Sequence, residues 1–438
     1  MKHTKNYKIL ILLVTCGMSF NIFAQDKLAI KSENEPVILV GGTLHIGTGQ
    51  VIQNAVIGFE NGKISIVDKL ENTKIDNSAY KVIDVSGQHI YPGFILLNSL
   101  IGIEEISGVP HSNDRNEEGR INPNLNTAFA FKSDSEFLPV LRFNGILTVE
   151  TAPRGGMVSG TSSVMKLDGR NWEESLYKFG TGIHLNWPSS SRTSYDAATH
   201  TRRSNPNKNY DTNVTELKNL FTQAIAYGKQ EDNKPNLKLE ALQGLFNGTQ
   251  SLFIHAIEPK EIIESIQVSK KMGIEHVVLI SAESTLLVVD FLRKNNIPVI
   301  LPPTHSVPSK VDMDYDLRYK LPYLLSKEGI VVAISHEGML STSRNLPFYA
   351  GVAAAFGLSK EDALKTISLN AAKILRIDNT LGSLEVGKDA TLFVSTGDAL
   401  DIRTNKITHT FIQGKNIELE GKQQKQYKQY SELFGHNE

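Results

Sequence analysis

Apolar and polar positions divide this chain into three stretches. Over residues 37–85 the apolar residues come in short runs with a period near two: VILVGGTLHI, AVIGFENGKISIVDK and YKVIDV. Such alternation predicts half-buried strands. Asn61-Gly62 lies between two of these runs, and both residues tolerate the positive φ that a type I′ hairpin turn demands. From about Ile90 the rhythm changes. Eight short apolar runs, YPGFILL, GILTVET, SSVMKL, TGIHLN, SLFIHAI, HVVLISA, IPVILPP and IVVAIS, alternate with longer polar or amphipathic segments. Runs of that kind predict parallel strands buried on both faces, and eight of them predict a closed (β/α)8 barrel. The segments between them support helices. Leu217, Leu220, Phe221, Ala224 and Ile225 share one helical face, and Ser359-Lys360-Glu361-Asp362 reads as a capping box before the apolar stripe of Leu364, Ile367 and Ala371. Residues 187–211 break the rhythm, being rich in Ser, Thr, Asn and Arg, and read as a long loop after strand four on the catalytic face.

After Asp378 the β pattern returns in LGSLEVGKDATLFVS and ITHTFIQGKNIEL. The expected fold class is therefore α/β: a TIM barrel over 89–378, flanked by a small split β-sandwich made from 26–88 and 379–420. With 438 residues, 40% of them apolar, the chain can bury a large core without staples. Its formal net charge of −1 gives no footprint for nucleic acid or an acidic membrane.

The N-terminus reads as a targeting segment. Lys2, Lys5 and Lys8 precede an apolar stretch, 9–20, that is shorter than the ~20 residues a spanning helix needs. A small residue for cleavage follows at Ala24, so 1–24 is expected to be a signal peptide and the mature chain to be periplasmic or extracellular, with no membrane anchor. Removing three lysines and no acids takes the net charge from −1 to −4. The only cysteine, Cys16, lies inside this segment, so the mature chain has no disulfide, no thiolate metal ligand and no cysteine nucleophile.

The words at the two ends carry a family resemblance. VILVGGTLHIGTGQVIQNAVIGFENGKISIV, VIDVSGQHIYPGFI and GSLEVGKDATLFV with the following IQGK resemble the amidohydrolase superfamily, and its imidazolonepropionase-like members above all. The resemblance implies a hydrolase of amide, cyclic amide or similar non-peptide C–N bonds. It also implies one or two divalent metals, zinc first, at the C-terminal mouth of the barrel. The usual ligands are two histidines from strand one, one each from strands five and six, and an aspartate from strand eight. On this chain the strand-one pair falls on Asn98-Ser99-Leu100, so both histidines are absent. The strand-five ligand matches His255. The strand-six position, near 280–282, has no histidine, and the strand-eight position falls at Glu337, beside His336. NEEGRINPN, TAPRGGMVSGTSS and RNLPFYAG resemble a branch of exported amidohydrolase-like proteins with the same altered strand one.

Three readings of site residues follow. His255 and Glu337 are candidate metal ligands, and Glu337 with His336 the candidate catalytic pair, with His305 in LPPTHS as a further group at the same mouth. Adjacent residues such as His336 and Glu337 converge only if the strand end is irregular. The plainer alternative makes these residues hydrogen-bonded loop anchors. Arg154-Gly155-Gly156, followed by Ser159-Gly160-Thr161-Ser162-Ser163, could cradle an anionic ligand group or simply form a tight turn. The acidic stretch with Glu104, Glu105, Asp114, Glu117 and Glu118 matches no EF-hand spacing and reads as a solvated loop. Two functions stay open: a hydrolase with a recast one-metal site, or a metal-free, catalytically silent relative. The silent relative would bind a small molecule, form a homo-oligomer, or pair with an active amidohydrolase.

Overall fold

The computed structural model describes residues 35–75, 78–196, 200–230, 234–308 and 312–435. The expected signal peptide and Cys16 lie outside the described residues.

All eight apolar runs form strands of one sheet: β1 (Phe94–Ser99), β2 (Ile146–Thr151), β3 (Val158–Lys166), β4 (Leu176–Asn186), β5 (Ser251–His255), β6 (Val277–Ile280), β7 (Val299–Leu301) and β8 (Val332–Ile334). They pair in chain order. From β4 to β8 every pair is parallel, as is β1 with β2. The third strand corrects the expectation. β3 runs antiparallel to both β2 and β4. Its cause is loop length: six residues separate β2 from β3, and a parallel crossover needs a dozen or more. Between β8 and β1 the segment after the helix Lys360–Lys365 acts as a bridge. Ile334 N–H donates to Thr366 O (3.1 Å) and Ile95 N–H to Ile367 O (2.8 Å). The result is a nearly closed barrel.

Strand parity sets what lies inside. Ile183, Leu185, Leu252, Ile254, Val277 and Leu279 face outward into a core shared with the helices Tyr210–Gly228 and Pro259–Lys271. Ile95, Leu97, Val164, Phe253, Val278, Ile280, Ile300 and Ala333 fill the interior. The predicted helix face is the buried one, with Leu217, Leu220, Phe221 and Ala224 all in the core. Ser359 caps its helix by accepting a hydrogen bond from Asp362 N–H.

The two chain ends meet in a second, eight-stranded mixed sheet. It takes Val37–His45, Val51–Glu60, Lys63–Lys69, Lys81–Asp84 and His89–Pro92 from one end, and Leu392–Ser395, Ile407–Ile412 and Lys415–Asn416 from the other. Asn61 and Gly62 carry φ of 50° and 79°, as the hairpin turn requires. Val37–His45 pairs with Lys81–Asp84 through its first half and with His89–Pro92 through its second, changing partner around Gly41 and Gly42. The sheet wraps its own apolar core of Leu39, Ile57, Phe59, Ile90, Leu392 and Phe411.

Residues 187–211 are not the structureless loop expected. Ser191–Asp196 and Thr201–Pro206 pair as an antiparallel hairpin. The ladder pairs the facing backbone groups of the two strands, an order that the polar composition did not signal. Buried Trp187 and Tyr210 clamp its base, the indole N–H donating to the Tyr210 hydroxyl (3.1 Å) and that hydroxyl to Glu264 (2.8 Å).

Candidate active site

The upper ends of β1 to β5 point polar side chains inward, where the interior below is apolar. Glu150 on β2 lies between outward-facing Val149 and the strand end, so its carboxylate points into the barrel. It is fully buried and accepts three hydrogen bonds: from Asn98 N–H (3.0 Å), from Ser162 Oγ on β3 (2.8 Å) and from His184 Nε2 on β4 (3.3 Å). Burial alone would raise the carboxyl pKa. The bonds from His184, Asn98 and Ser162 outweigh that and hold it below the usual carboxylate range. His184 is also fully buried and stacks on Phe253 at 4.7 Å with a 9° interplanar angle. Its Nδ1 lies 3.1 Å from Nε2 of His255, the last residue of β5. Burial, reinforced by His184 and Arg154, pushes the His255 imidazole well below its usual pKa, so this ring is neutral at neutral pH.

At the end of β1, Asn98 takes a left-handed conformation (φ 50°), which turns its N–H onto Glu150. Arg154 Nη2 donates to the Asn98 carbonyl (2.7 Å) and holds the turn. The Asn98 side-chain amide donates to Glu337. A carboxylate only accepts, so the amide orientation is fixed, and Oδ1 is left buried with no protein partner. Burial lowers the Arg154 guanidinium pKa, and the charges of Glu337 and Glu150 oppose that shift.

The sequence-predicted residues separate into two groups. His255 and Glu337 stand at the mouth, but the expected catalytic pair of Glu337 with His336 is not assembled. His336 is buried in its own loop: Nδ1 meets the Tyr349 hydroxyl (3.1 Å), and Nε2 meets Met339 O and Thr342 Oγ1 (both 3.0 Å). Glu337, next in sequence, is exposed and turned toward Asn98. The two side chains diverge because β8 ends at Ile334 and the loop beyond commits each to a different neighbour. His305 is exposed, meets Tyr349 edge-on at 4.9 Å, and lines a groove of about 470 Å³ with Phe348, Lys360 and Asp398.

Arg154 reaches the mouth, whereas Gly155 and Gly156 form an exposed turn (φ 79° and 63°) that joins β2 to the reversed β3. A Cβ on Gly156 would meet Arg120 O at 2.8 Å. The run 159–163 is β3 itself. Glu104 is buried, not solvated, and pairs with Arg115 Nη1 (3.1 Å).

The resemblance set out above implies a divalent metal here, and the donor set does not fit one. The strand-one positions offer Asn98, Ser99 and Leu100, and the inward position of β6 is Ile280. Among the described residues no three His, Cys, Asp or Glu side chains gather closely enough to hold a metal ion. Where strands one and eight would share a metal, Asn98 and Glu337 share a hydrogen bond.

Residues 251–417 match the amidohydrolase family. The solved structure of an amidohydrolase from Thermotoga maritima is similar with a TM-score of 0.75 and 21% identity, over 87% of this chain and 99% of that one. A molinate hydrolase structure is similar with a TM-score of 0.54 and 14% identity, over 88% and 95%. An adenosine deaminase from Xanthomonas campestris with bound zinc is similar with a TM-score of 0.50 and 13% identity, over 87% and 92%. No curated protein matches the chain. At these identities the likeness establishes the fold alone, a barrel with a second sheet built from the chain ends.

Proposed function

We propose that the protein is an exported hydrolase of a non-peptide C–N bond, of the imidazolonepropionase-like kind, that takes a small cyclic amide or related substrate at the barrel mouth. The observation that carries this reading is the carboxylate of Glu150, kept ionised in a fully buried position with His184 and His255 strung from it toward the mouth. Burying a charge costs several kcal/mol even when it is paired, and packing alone has no need of one there. Fold likeness to hydrolases and a deaminase adds the reaction class by analogy only. In this reading the standard metal site is degenerate. The test is an assay of the purified mature chain against cyclic amides, N-acyl amino acids and dipeptides, with metal content measured on protein prepared without chelator. Turnover abolished in His255→Ala supports the reading, and no turnover on any of these substrates defeats it.

A second reading is a silent, ligand-binding relative, acting alone, as a homo-oligomer, or as partner of an active amidohydrolase. It is favoured by the Asn98–Glu337 hydrogen bond, which occupies the place where two metal ligands are expected. A ligand that co-purifies with the wild-type chain and is lost in Arg154→Ala would distinguish it.

A further inference from the structure

The connection from the reversed β3 to β4 carries only the four-residue helix Trp172–Ser175. The segment after β1 bridges to β3 instead, at Ile121–Val158 and Asn126–Thr161. Beside that bridge lies a cavity of about 480 Å³. A second, of about 460 Å³, shares Asn124, Asn126 and Phe129 with it, so the two make one groove. Glu150, His255 and Glu337 lie outside its lining. Two rings stand in solvent at its wall. Phe129 is 63% exposed and Phe179 is 51% exposed, and they meet edge to face at 5.5 Å. Amide groups are turned toward the same space. Asn126 Oδ1 accepts from Ala128 N–H (2.9 Å) and Ser163 Oγ (2.8 Å), and Asn247 Oδ1 accepts from Thr249 N–H (3.0 Å) and Thr249 Oγ1 (2.7 Å). Each amide is thereby oriented, and each Nδ2 is left without a partner among the described residues. Gly180, at φ 61°, keeps the space open: a Cβ there would stand 3.3 Å from Gln250 Nε2 and 3.8 Å from Asn126 Nδ2. Gln250 Oε1 is buried with no protein partner, and turning that amide over leaves one end unpaired all the same.

We infer that this groove binds a neutral oligosaccharide. A sugar ring has a face of C–H groups, slightly positive, that lies well on the negative face of an aromatic ring. Its rim of hydroxyls both donates and accepts. Amide N–H groups of Asn126, Asn247 and Gln250 serve hydroxyl oxygens, and the Glu240 carboxylate, which takes one bond from the Tyr227 hydroxyl (2.8 Å), has lone pairs left for hydroxyl protons. Other ligand classes fit less well. No lysine, arginine or histidine lines the 480 Å³ cavity among the described residues, so a phosphate or carboxylate has no counter-charge there. A wholly apolar ligand would cover the amides and leave them unpaired. An extended peptide pairs best with an open strand edge, and β3 and β4 are both paired on either side. Each cavity has the volume of a small-molecule site, about 300–1,000 Å³, and their continuity past Phe129 gives room for more than one sugar ring. The inference goes beyond the hydrolase reading and does not depend on it.

The test is calorimetric titration of the purified chain with a panel of neutral oligosaccharides: maltohexaose, cellohexaose, xylohexaose, mannohexaose and the hexamer of N-acetylglucosamine. The expected result is that at least one binds at one site per chain with a Kd of about 1 mM or tighter. Phe179→Ala and Gln250→Leu should each weaken that sugar by about tenfold or more. Neither should lower the unfolding temperature much, since Phe179 is half exposed and the Gln250 amide has a buried oxygen with no bond to lose. If Gln250→Leu does not fold, Phe179→Ala decides alone. No binding by any member of the panel overturns the inference, as does a sugar whose affinity is unchanged in Phe179→Ala, because it then sits elsewhere. Sedimentation of the same samples covers the remaining occupant: a dimer dispersed by Phe179→Ala, with no sugar bound, would give this face to a second copy of the chain and overturn the inference too.

Discussion

Among the described residues, two carboxylate–imidazole–imidazole strings stand in different surroundings. One is Glu150, His184 and His255 in the barrel. The other joins the terminal sheet to a barrel helix: Glu361 Oε1 lies 2.7 Å from His45 Nδ1, and His45 Nε2 lies 3.0 Å from His89 Nδ1. The residue types and the order are the same. In the barrel, glutamate and central histidine are both 0% exposed; at the junction they keep 19% and 13%. Glu150 has three donors, whereas Oε2 of Glu361 is buried with no partner. His45 stacks on Tyr91 at 4.3 Å with an 8° interplanar angle, so its ring is part of the packing that fastens sheet to barrel. Burial and donor count, rather than residue type, separate a string shielded from water from one that serves as a joint.

The largest effect that can break this comparison is loss of the carboxylates. Glu150→Leu strands three buried donors, each worth about 1–3 kcal/mol when left unpaired, so unfolding free energy should fall by at least ~3 kcal/mol. Glu361→Leu strands only the part-wet His45 and should cost about 1 kcal/mol. Urea unfolding of the two variants side by side is the check, and equal losses would erase the distinction.

A smaller effect comes from pH. Burial holds His255 well below its ordinary pKa and lowers His89 too, with His45 adding to the shift at His89. Such a group takes up a proton more readily in the unfolded chain. Its contribution is therefore complete above about pH 6.5 and is lost as pH falls below that. His255→Gln should flatten the slope of stability between pH 6.5 and 5 by up to about 1.4 kcal/mol per pH unit, and His89→Gln by less. The lowered Glu150 carboxyl acts in a separate window, losing its contribution only below about pH 4.5. Unfolding curves at pH 5 and 7.5 would rank the two histidines; a steeper change in the His89 variant would reverse the comparison.

Single hydrogen bonds sharpen it. Ser162→Ala removes one of three donors to the buried carboxylate and should cost about 2 kcal/mol. Tyr91→Phe removes one acceptor for Ala399 N–H at the junction and should cost less than about 1 kcal/mol, measured the same way.

Much of this fold was legible in the chain. The eight barrel runs, the Asn61-Gly62 turn and the Ser359 cap are all where the pattern put them, because each rests on local periodicity or a turn's own φ requirement. The reversal of β3 was not read, although the short 152–157 connection carried the signal. His255 was legible from its place at the end of SLFIH. Its two partners were not, although both lie inside runs that were read as strands. Their signal was parity: Ile183 and Leu185 flank His184, so a ring between two outward apolar residues must face the interior. His336 misled because sequence shows a ligand type but not the loop, with Tyr349 and Thr342, that occupies both of its nitrogens.

The downward run of β3 also decides where this barrel can change. In a uniform barrel every strand delivers a loop to the mouth. Here β2 and β3 together present one six-residue turn, and the next connection, 167–175, emerges at the opposite rim. Lengthening that connection would decorate the floor and leave the ligand end untouched, while any insertion into the turn would bear directly on Arg154. For anyone refitting the mouth to a new molecule, the loops after β1 and after β4 to β8 are the places to vary, and the 167–175 connection is the natural place to attach a tag or a second domain.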